Sequence, residues 1–467
     1  MVKLNRQKQL FMKKTVFFLT LSVFTLVLTA QNEQKADERY DQYGKKVDRT
    51  SLNAEVRNGI LVLESPKQDY KLWFDMRIQT DGQFFSNDAI NPIGDGFSIR
   101  RARFAVKANL TKNWFAELDL NVANGALELE DAIIQYNFSN NLKGLNTRIG
   151  NFKEQFSMSQ TASSRYFNFM ERAMVVNTFA PSRHLGWDAT YSGKYFLAAG
   201  GLFFHEVKDL ETLTYVEDNN KDFGRDQGYS LTGKLVLQPF GENKNHGIHA
   251  AYAYSYRTPK TDVDPAEYGM ARYSTRSLSS INRKKYLDSD LIPDLDHEVV
   301  SNIELAGFYR GLELQSEIIN NKTFRKNNLE TLSFSGFYIQ TAYLLFGGKQ
   351  LYDKSQGEFN QPEKGKKWGD VELTLRYDYI NLNDKDIMGG SAEGYTAGIN
   401  FYAARNFKFQ LNYSYLNHDR YASGKGKLFV GHDVNGALTK DPTKVVDAAG
   451  KAGNDYGQLG IRCEIDF

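Results

Sequence analysis

Apolar and polar residues alternate one for one along many stretches of this chain. In residues 371–379, Leu373 and Leu375 alternate with Glu372 and Arg376, and residues 248–257 and 407–415 follow the same rule. Successive side chains of a β-strand point to opposite faces, so this alternation predicts strands with one face in an apolar medium and the other in water.

The alternation predicts sixteen strands, at residues 70–80, 98–109, 114–122, 127–138, 146–153, 184–192, 196–205, 227–238, 246–257, 299–309, 312–320, 333–346, 368–382, 392–403, 407–417 and 454–467. Short links such as 110–113 and 310–311 alternate with long loops, predicted at 81–97, 154–183, 206–226, 258–298, 321–332, 383–391 and 418–453. Short turns at one rim and long loops at the other are typical of a transmembrane antiparallel β-barrel. We therefore predict an all-β fold, a sixteen-stranded barrel with both ends on the same side of the membrane.

Composition agrees with one large β structure. A chain of 467 residues would ordinarily suggest several domains, but 27 Tyr, 32 Phe and 38 Gly stand against 9 Pro, and no long helical periodicity appears. The mean hydropathy of −0.52 resembles that of a soluble protein. It is equally expected of barrel strands, whose lipid-facing and water-facing residues average out.

The N-terminal region predicts export. Lys13 and Lys14 precede an apolar run that ends near Ala30, so residues 1–30 read as a signal peptide. The alternative, a membrane anchor, would need about 20 apolar residues, more than this run supplies. We predict a signal peptide at 1–30, a periplasmic extension at 31–69 and an outer-membrane barrel at 70–467.

Charge and chemistry exclude several functions. Without residues 1–30 the formal net charge changes from +2 to −3, so no basic surface for nucleic acid is expected. Cys463 is the single cysteine, and the 7 histidines form no spaced metal or catalytic motif. We predict no enzymatic activity and no cofactor, and any preference for anions must come from where the cations lie.

One predicted strand carries a row of cations. Arg101, Arg103 and Lys107 share a face with Ile99, whereas Arg100 falls on the other face. Same-face neighbours are roughly 6.6 Å apart, so an anion could pass from one cation to the next. Arg376, on another strand, is a further candidate. Each of these residues could equally belong to a structural network of salt bridges inside the barrel.

Residues 154–183 interrupt the strand pattern, and the stretch 150–183 resembles a known family. The resemblance lies in Gly150-x-Phe152-Lys153, Ser163-Ser164-Arg165-Tyr166, Phe169-Met170-Glu171-Arg172-Ala173, Arg100-Arg101-Ala102-Arg103 and Asp131-Ala132. These motifs are similar to those of the phosphate-selective porin O and P family of Gram-negative outer membranes. The resemblance implies a long third loop folded into the lumen, a homotrimer in outer-membrane lipid, and passage of phosphate.

The resemblance also suggests site residues. It implies that Ser163, Ser164 and Arg172 form the narrow binding zone, with Asp131 as its acidic member and with Lys153 and Arg165 nearby. Members selective for phosphate place a lysine just before the serines, where this chain has Gln160. The composition of residues 164–174 predicts a short helix there.

The predicted turn between residues 347 and 367 is basic. Residues 347–367 carry several lysines, and the resemblance implies a turn that enters the barrel and offers a lysine to the anion. A solvated basic loop is the alternative.

Together these observations predict a porin for passive diffusion of anions, most simply inorganic phosphate or related oxyanions. Two alternatives remain open: a general small-solute porin without strict phosphate selectivity, and a barrel whose long loops act as an adhesin or receptor.

Overall fold

The computed structural model describes residues 39–48, 50–57, 59–86, 90–123, 125, 127–207, 227–240, 243, 245–259, 267–448 and 450–467. The predicted signal peptide and the first part of the predicted extension lie outside these residues.

Sixteen antiparallel strands, numbered here β1 to β16 along the chain, form one closed barrel. The strands β1 to β8 are Lys71–Ser86, Gly96–Asn109, Trp114–Asn121, Glu128–Asn137, Leu145–Lys153, Arg183–Ser192, Phe196–Phe203 and Ser230–Leu237. The strands β9 to β16 are His246–Arg257, Leu295–Tyr309, Leu312–Arg325, Leu332–Leu344, Asp370–Asp384, Ile387–Ala404, Phe407–His418 and Tyr456–Asp466. The predicted fold class and strand number are confirmed.

The seam between the first and last strands closes the barrel. β16 pairs with β1 over nearly all of its length. A hairpin of Asn53–Arg57 and Ile60–Glu64 joins the same edge of β1, where Val62 lies opposite Trp73. Part of the region predicted as an extension thus continues the barrel sheet.

The barrel is apolar outside and polar inside over most of its wall. On β13, Leu373 and Leu375 are 44% and 59% exposed, whereas Glu372 and Arg376 are 0% and 6% exposed. This is the reverse of a soluble protein and presents an apolar band to lipid.

The links predicted at 81–97, 321–332 and 383–391 are shorter than expected. β13 ends at Asp384 and β14 begins at Ile387, for example, so a two-residue turn joins them. In residues 383–391 the apolar Ile387 and Met388 are adjacent and two glycines follow, so the alternation is lost although Asn383 and Asp384 pair with Met388 and Ile387.

The remaining elements are short. Within the described residues the helices are α1 (Met158–Thr161) and α2 (Met174–Phe179), with 3-10 turns at Asn140–Leu142, Ser164–Tyr166 and Pro442–Lys444. Small hairpins pair Arg39–Tyr40 with Lys46–Val47, Ser274–Thr275 with Leu287–Asp288, Lys349–Asp353 with Glu358–Glu363, and Gly431–His432 with Leu438–Thr439. In the described ranges no helix has the length and apolarity to cross a membrane.

Part of the interior is apolar, which the alternation did not predict. α2 packs in a buried cluster with residues of the long loops and with inward-facing strand residues, among them Leu278, Leu287, Ile380 and Leu416. The loops cover this end of the barrel, so these inward positions contact side chains rather than water. This part of the interior is therefore packed with apolar side chains.

Gly150 permits the close pairing of β4 and β5. Its φ is 133°, and a Cβ atom there would lie 1.9 Å from the carbonyl oxygen of Ala132. We expect Gly150→Ala to lower the free energy of unfolding by about 2–4 kcal/mol, because the backbone of β4 must move. Thermal unfolding in detergent, followed by circular dichroism, measures the change. Gly200→Ala is the control, since the heavy atom nearest to a Cβ added at Gly200 is 3.9 Å away. An equal loss of stability in both variants would contradict the explanation.

Candidate functional site

The third loop, residues 154–182, is held by side chains from several strands. Near its start, the N–H groups of Met158 and Ser159 each donate to a carboxylate at 2.9 Å. The acceptors are Glu304 of β10 and Glu317 of β11. Both carboxylates are fully buried, so these bonds satisfy charges that would otherwise be costly inside the barrel.

Strands on another side of the barrel hold the later part of the third loop. Arg376 of β13 donates to the carbonyl of Glu171 at 2.8 Å. Arg462 of β16 donates to the carbonyl of Met170 at 2.7 Å. The third loop thus contacts strands on different sides of the closed barrel.

The helix predicted at residues 164–174 is wrong. A 3-10 turn covers Ser164–Tyr166, and the regular helix begins only at Met174. Between them, backbone groups bond to the barrel wall: the N–H of Met170 donates to Asn412 at 2.8 Å. The partners that a helix would supply locally come instead from strands distant in sequence.

A cavity of about 580 Å³, here called the turn-side cavity, lies between the third loop and strands β1 to β6. Of the predicted site residues, those on its wall are Arg103, Lys107, Asp131, Lys153, Ser163, Ser164 and Arg165. The wall also carries Arg148, together with residues that the sequence did not indicate: Arg77, Arg183, Asp75, Glu117, Asp119 and Glu358. Arg101, Arg172 and Arg376 are not part of this wall.

The carboxylates of this wall face cations. The pairs are Lys107 with Glu117 at 3.0 Å, Arg103 with Asp119 at 3.5 Å, and Arg183 with Asp131 at 2.8 Å. These three carboxylates come within 4.8 Å of one another, a spacing that a metal ion could use. Since each already has a cationic partner, we interpret the group as a salt-bridge network.

Arg77 brings the two serines of the third loop to the cavity wall. Its guanidinium group donates to Ser164 Oγ at 2.5 Å and to Ser163 Oγ at 3.2 Å. Among the described residues, the Nε atoms of Arg77, Arg103 and Arg165 are buried and have no hydrogen-bond partner. Arg77 could have been found from the alternation, because it shares the inward face of β1 with Asp75.

Other predicted site residues hold the third loop in shape. Lys153 donates to the carbonyls of Thr161 and Ala162 at 3.0 and 2.9 Å. Arg172 donates to the carbonyl of Ser159 at 2.8 Å, and its guanidinium carbon lies 4.4 Å from the ring centre of Phe167. These contacts fix the loop and leave fewer N–H groups for an anion.

A β-bulge changes the predicted faces of β2. Gln79 pairs with Arg101 and the next residue of β1 pairs with Ile99, so Arg100 is the extra residue. Ile99 is 51% exposed on the outer face, and Arg100 turns inward to pair with Glu171 at 2.7 Å. The prediction that Ile99 faces inward and Arg100 outward is therefore wrong. Arg101 does face inward, donating to Gln79 at 2.7 Å.

A second cavity of about 420 Å³ lies beneath the long loops and is called here the loop-side cavity. Arg100 and Glu171 line it together with Arg276 and Arg283 of the loop that precedes β10. Burial and the neighbouring charge of Arg283 lower the pKa of Arg276. The loop-side cavity is thus electropositive, and the row of cations on β2 reaches from it to the turn-side cavity.

The basic turn between β12 and β13 contains a hairpin whose tip contacts the barrel interior. Tyr352 forms a 2.7 Å hydrogen bond with the buried His249 of β9, and the carbonyl of Lys354 accepts one from Gln238. Glu358 lines the turn-side cavity, where burial raises its pKa. The remaining lysines of the turn, Lys349, Lys364, Lys366 and Lys367, are exposed.

Residues 74–437 match the profile of one protein family, described as phosphate-selective porin O and P. This match spans most of the chain. The chain belongs to the phosphate-selective porin O and P family. As a porin of this family it resides in the outer membrane of a Gram-negative bacterium.

One curated protein is a distant relative of this porin. This porin is 26% identical over 330 residues to an uncharacterized protein of Caulobacter vibrioides. The aligned region covers 70% of this porin and 64% of that relative. The matched part therefore spans less than two thirds of that relative.

Solved structures of outer-membrane proteins also align with this porin. An anion-selective porin from Comamonas acidovorans aligns with a TM-score of 0.50 and 12% identity, over 85% of this chain and 100% of that one. OmpT, an outer membrane protein of Vibrio cholerae, aligns with a TM-score of 0.48 and 11% identity, over 85% and 98% of the two chains.

Proposed function

We propose that this porin lets inorganic phosphate, or a related oxyanion, diffuse passively across the outer membrane. The observation that carries the proposal is the row of cations along β2. Lys107 and Arg103 line the turn-side cavity, Arg101 follows, and Arg100 lines the loop-side cavity. An anion on this path would always have a cation within reach.

The chemistry of arginine suits such a path. A guanidinium group keeps its charge and can donate two parallel hydrogen bonds to the oxygens of a phosphate group. Conduction requires several favourable but weak sites rather than one tight one. The salt bridges between these cations and wall carboxylates would keep each site weak, since the anion competes with a fixed carboxylate.

The third loop completes the proposal. We propose that it narrows the channel between the two cavities, with Ser163 and Ser164 as hydroxyl donors beside Arg77. Family membership supports a channel rather than an enzyme, and it also supports a homotrimer, which mass measurement in detergent would test.

Planar-bilayer recording tests the function. The purified porin should give discrete ohmic steps, and the reversal potential in a KCl gradient should have the sign of chloride selectivity. Added phosphate should reduce the chloride current with saturation, because the two anions share the same cations. Cation selectivity would contradict the proposal.

A general small-solute porin is the second candidate. It is favoured by Gln160, where phosphate-selective members carry lysine, and by the pairing of Asp131 with Arg183. Ohmic steps without any block by phosphate would support this candidate over the first.

A further inference from the structure

Two aromatic rings face the turn-side cavity. Trp73 and Phe115 line it together with Asp75 and Glu117, which lie two residues further along the same strands. Strand alternation therefore turns both rings inward. Trp114, the chain neighbour of Phe115, points outward and is 46% exposed. Aromatic girdles of barrels lie on the outer face, so a girdle does not explain the inward pair.

The two rings form a continuous apolar surface. Their centres are 6.0 Å apart and their planes are tilted by 36°. Trp73 and Phe115 are both half-buried. Such a surface can stack against a flat ring of a solute, a contact that inorganic phosphate cannot make.

Two cations pair with a carboxylate next to this aromatic surface. Asp75, two residues after Trp73 and thus about 6.6 Å away, pairs with Lys107 at 3.3 Å and with Arg165 at 2.5 Å. Among the described residues, Arg165 Nε is buried without a hydrogen-bond partner. A phosphoryl group held at Arg165 would leave an attached ring within reach of Trp73.

The size of the cavity agrees with a solute larger than phosphate. Its volume of about 580 Å³ falls within the range of roughly 300–1,000 Å³ typical of pockets for small organic molecules. The charged wall disfavours neutral solutes, since they would replace water at these groups without compensation.

From these observations we infer that the turn-side cavity binds organic phosphoesters that carry a ring, with the phosphoryl group at Lys107 and Arg165 and the ring against Trp73 and Phe115. The inference rests on the proposed function, because the solute uses the same cations. It extends that function from inorganic oxyanions to phosphorylated ring compounds.

The test compares block of the chloride current in planar bilayers by inorganic phosphate, phenyl phosphate and neutral benzyl alcohol. In the natural protein, phenyl phosphate should halve the current at a concentration several-fold below that of phosphate, and benzyl alcohol should not block. Trp73→Leu should raise the half-blocking concentration of phenyl phosphate by about tenfold, since stacking is lost, and should change that of phosphate by less than about twofold.

Trp114→Leu is the matched control and should leave both blocks unchanged, because its ring faces outward. Phe115→Leu provides a second variant if Trp73→Leu fails to fold. Equal potency of phenyl phosphate and phosphate in the natural protein would overturn the inference, as would an equal loss of both blocks in Trp73→Leu.

The two proposals fail separately. Absence of phosphate block in the natural protein would overturn phosphate passage. Even then, the half-blocking concentrations of phenyl phosphate for the natural protein and for Trp73→Leu can be compared, and their difference tests the ring contact by itself.

Discussion

Replacing Arg77 with glutamine is expected to raise the phosphate concentration that halves the chloride current by about tenfold or more. Arg77 is 6% exposed, donates to both Ser163 and Ser164, and keeps its Nε atom unpaired among the described residues. Hydrogen bonds to charged groups contribute about 1.5–3 kcal/mol each, which converts to a loss of about tenfold to a hundredfold. Planar-bilayer titration with phosphate measures the change.

Two further variants make the Arg77 result specific. Arg77→Lys keeps the charge and loses the planar fork, so block should weaken less than in Arg77→Gln. Arg325→Gln removes an arginine that pairs with Asp386 in a strand-end contact, and block should be unchanged. If phosphate blocked the chloride current of Arg77→Gln as strongly as that of the natural protein, Arg77 and the serine pair would not be part of the anion path.

Replacing Arg462 with methionine is expected to cause the largest loss of stability. Arg462 and Asp81 form a two-bond salt bridge at 2.7 Å across the seam between β16 and β1, and both side chains are 0% exposed. Removing one partner leaves a buried charge unpaired, which costs about 3–5 kcal/mol. The midpoint of thermal unfolding in detergent should fall accordingly.

Arg462 also links the seam to the third loop, since it donates to the carbonyl of Met170. Arg462→Met protein that folds and inserts into a planar bilayer should therefore show altered single-channel conductance. A double variant, Arg462→Met with Asp81→Leu, should recover much of the stability, because no unpaired charge remains, but not the conductance. An unchanged unfolding midpoint in Arg462→Met would show that the seam does not depend on this pair.

The barrel could be predicted from the sequence because lipid imposes a strict rule. A strand between hydrocarbon and a polar interior must alternate, and residues 371–379 and 407–415 do so over their whole length. The rule gives no signal near Asp384 and Ile387, where adjacent apolar residues and glycines replace the alternation, and these strand ends were therefore predicted as loop. The rule fails at Ile380 and Leu416, whose inward positions are covered by the loops.

The candidate site was only partly predictable. Ser163, Ser164 and Arg165 were indicated by a local motif and do line the turn-side cavity. The inward turn of Arg100 depends on a one-residue bulge, for which simple alternation gives no signal. The role of Arg77 depends on a loop that follows it by some eighty-seven residues in sequence, and strand patterns carry no information on such distant contacts.

The unequal filling of the interior divides the barrel into two regions that tolerate different changes. Around Leu278, Leu287 and α2 the interior is a packed core, and changes there should affect how long the protein survives heat or detergent. Along β1 to β6 the interior is open and charged, and changes there should affect which solutes pass. If this protein is adapted as a nanopore sensor, the open charged region can therefore be changed to alter selectivity while the packed core is kept to preserve stability.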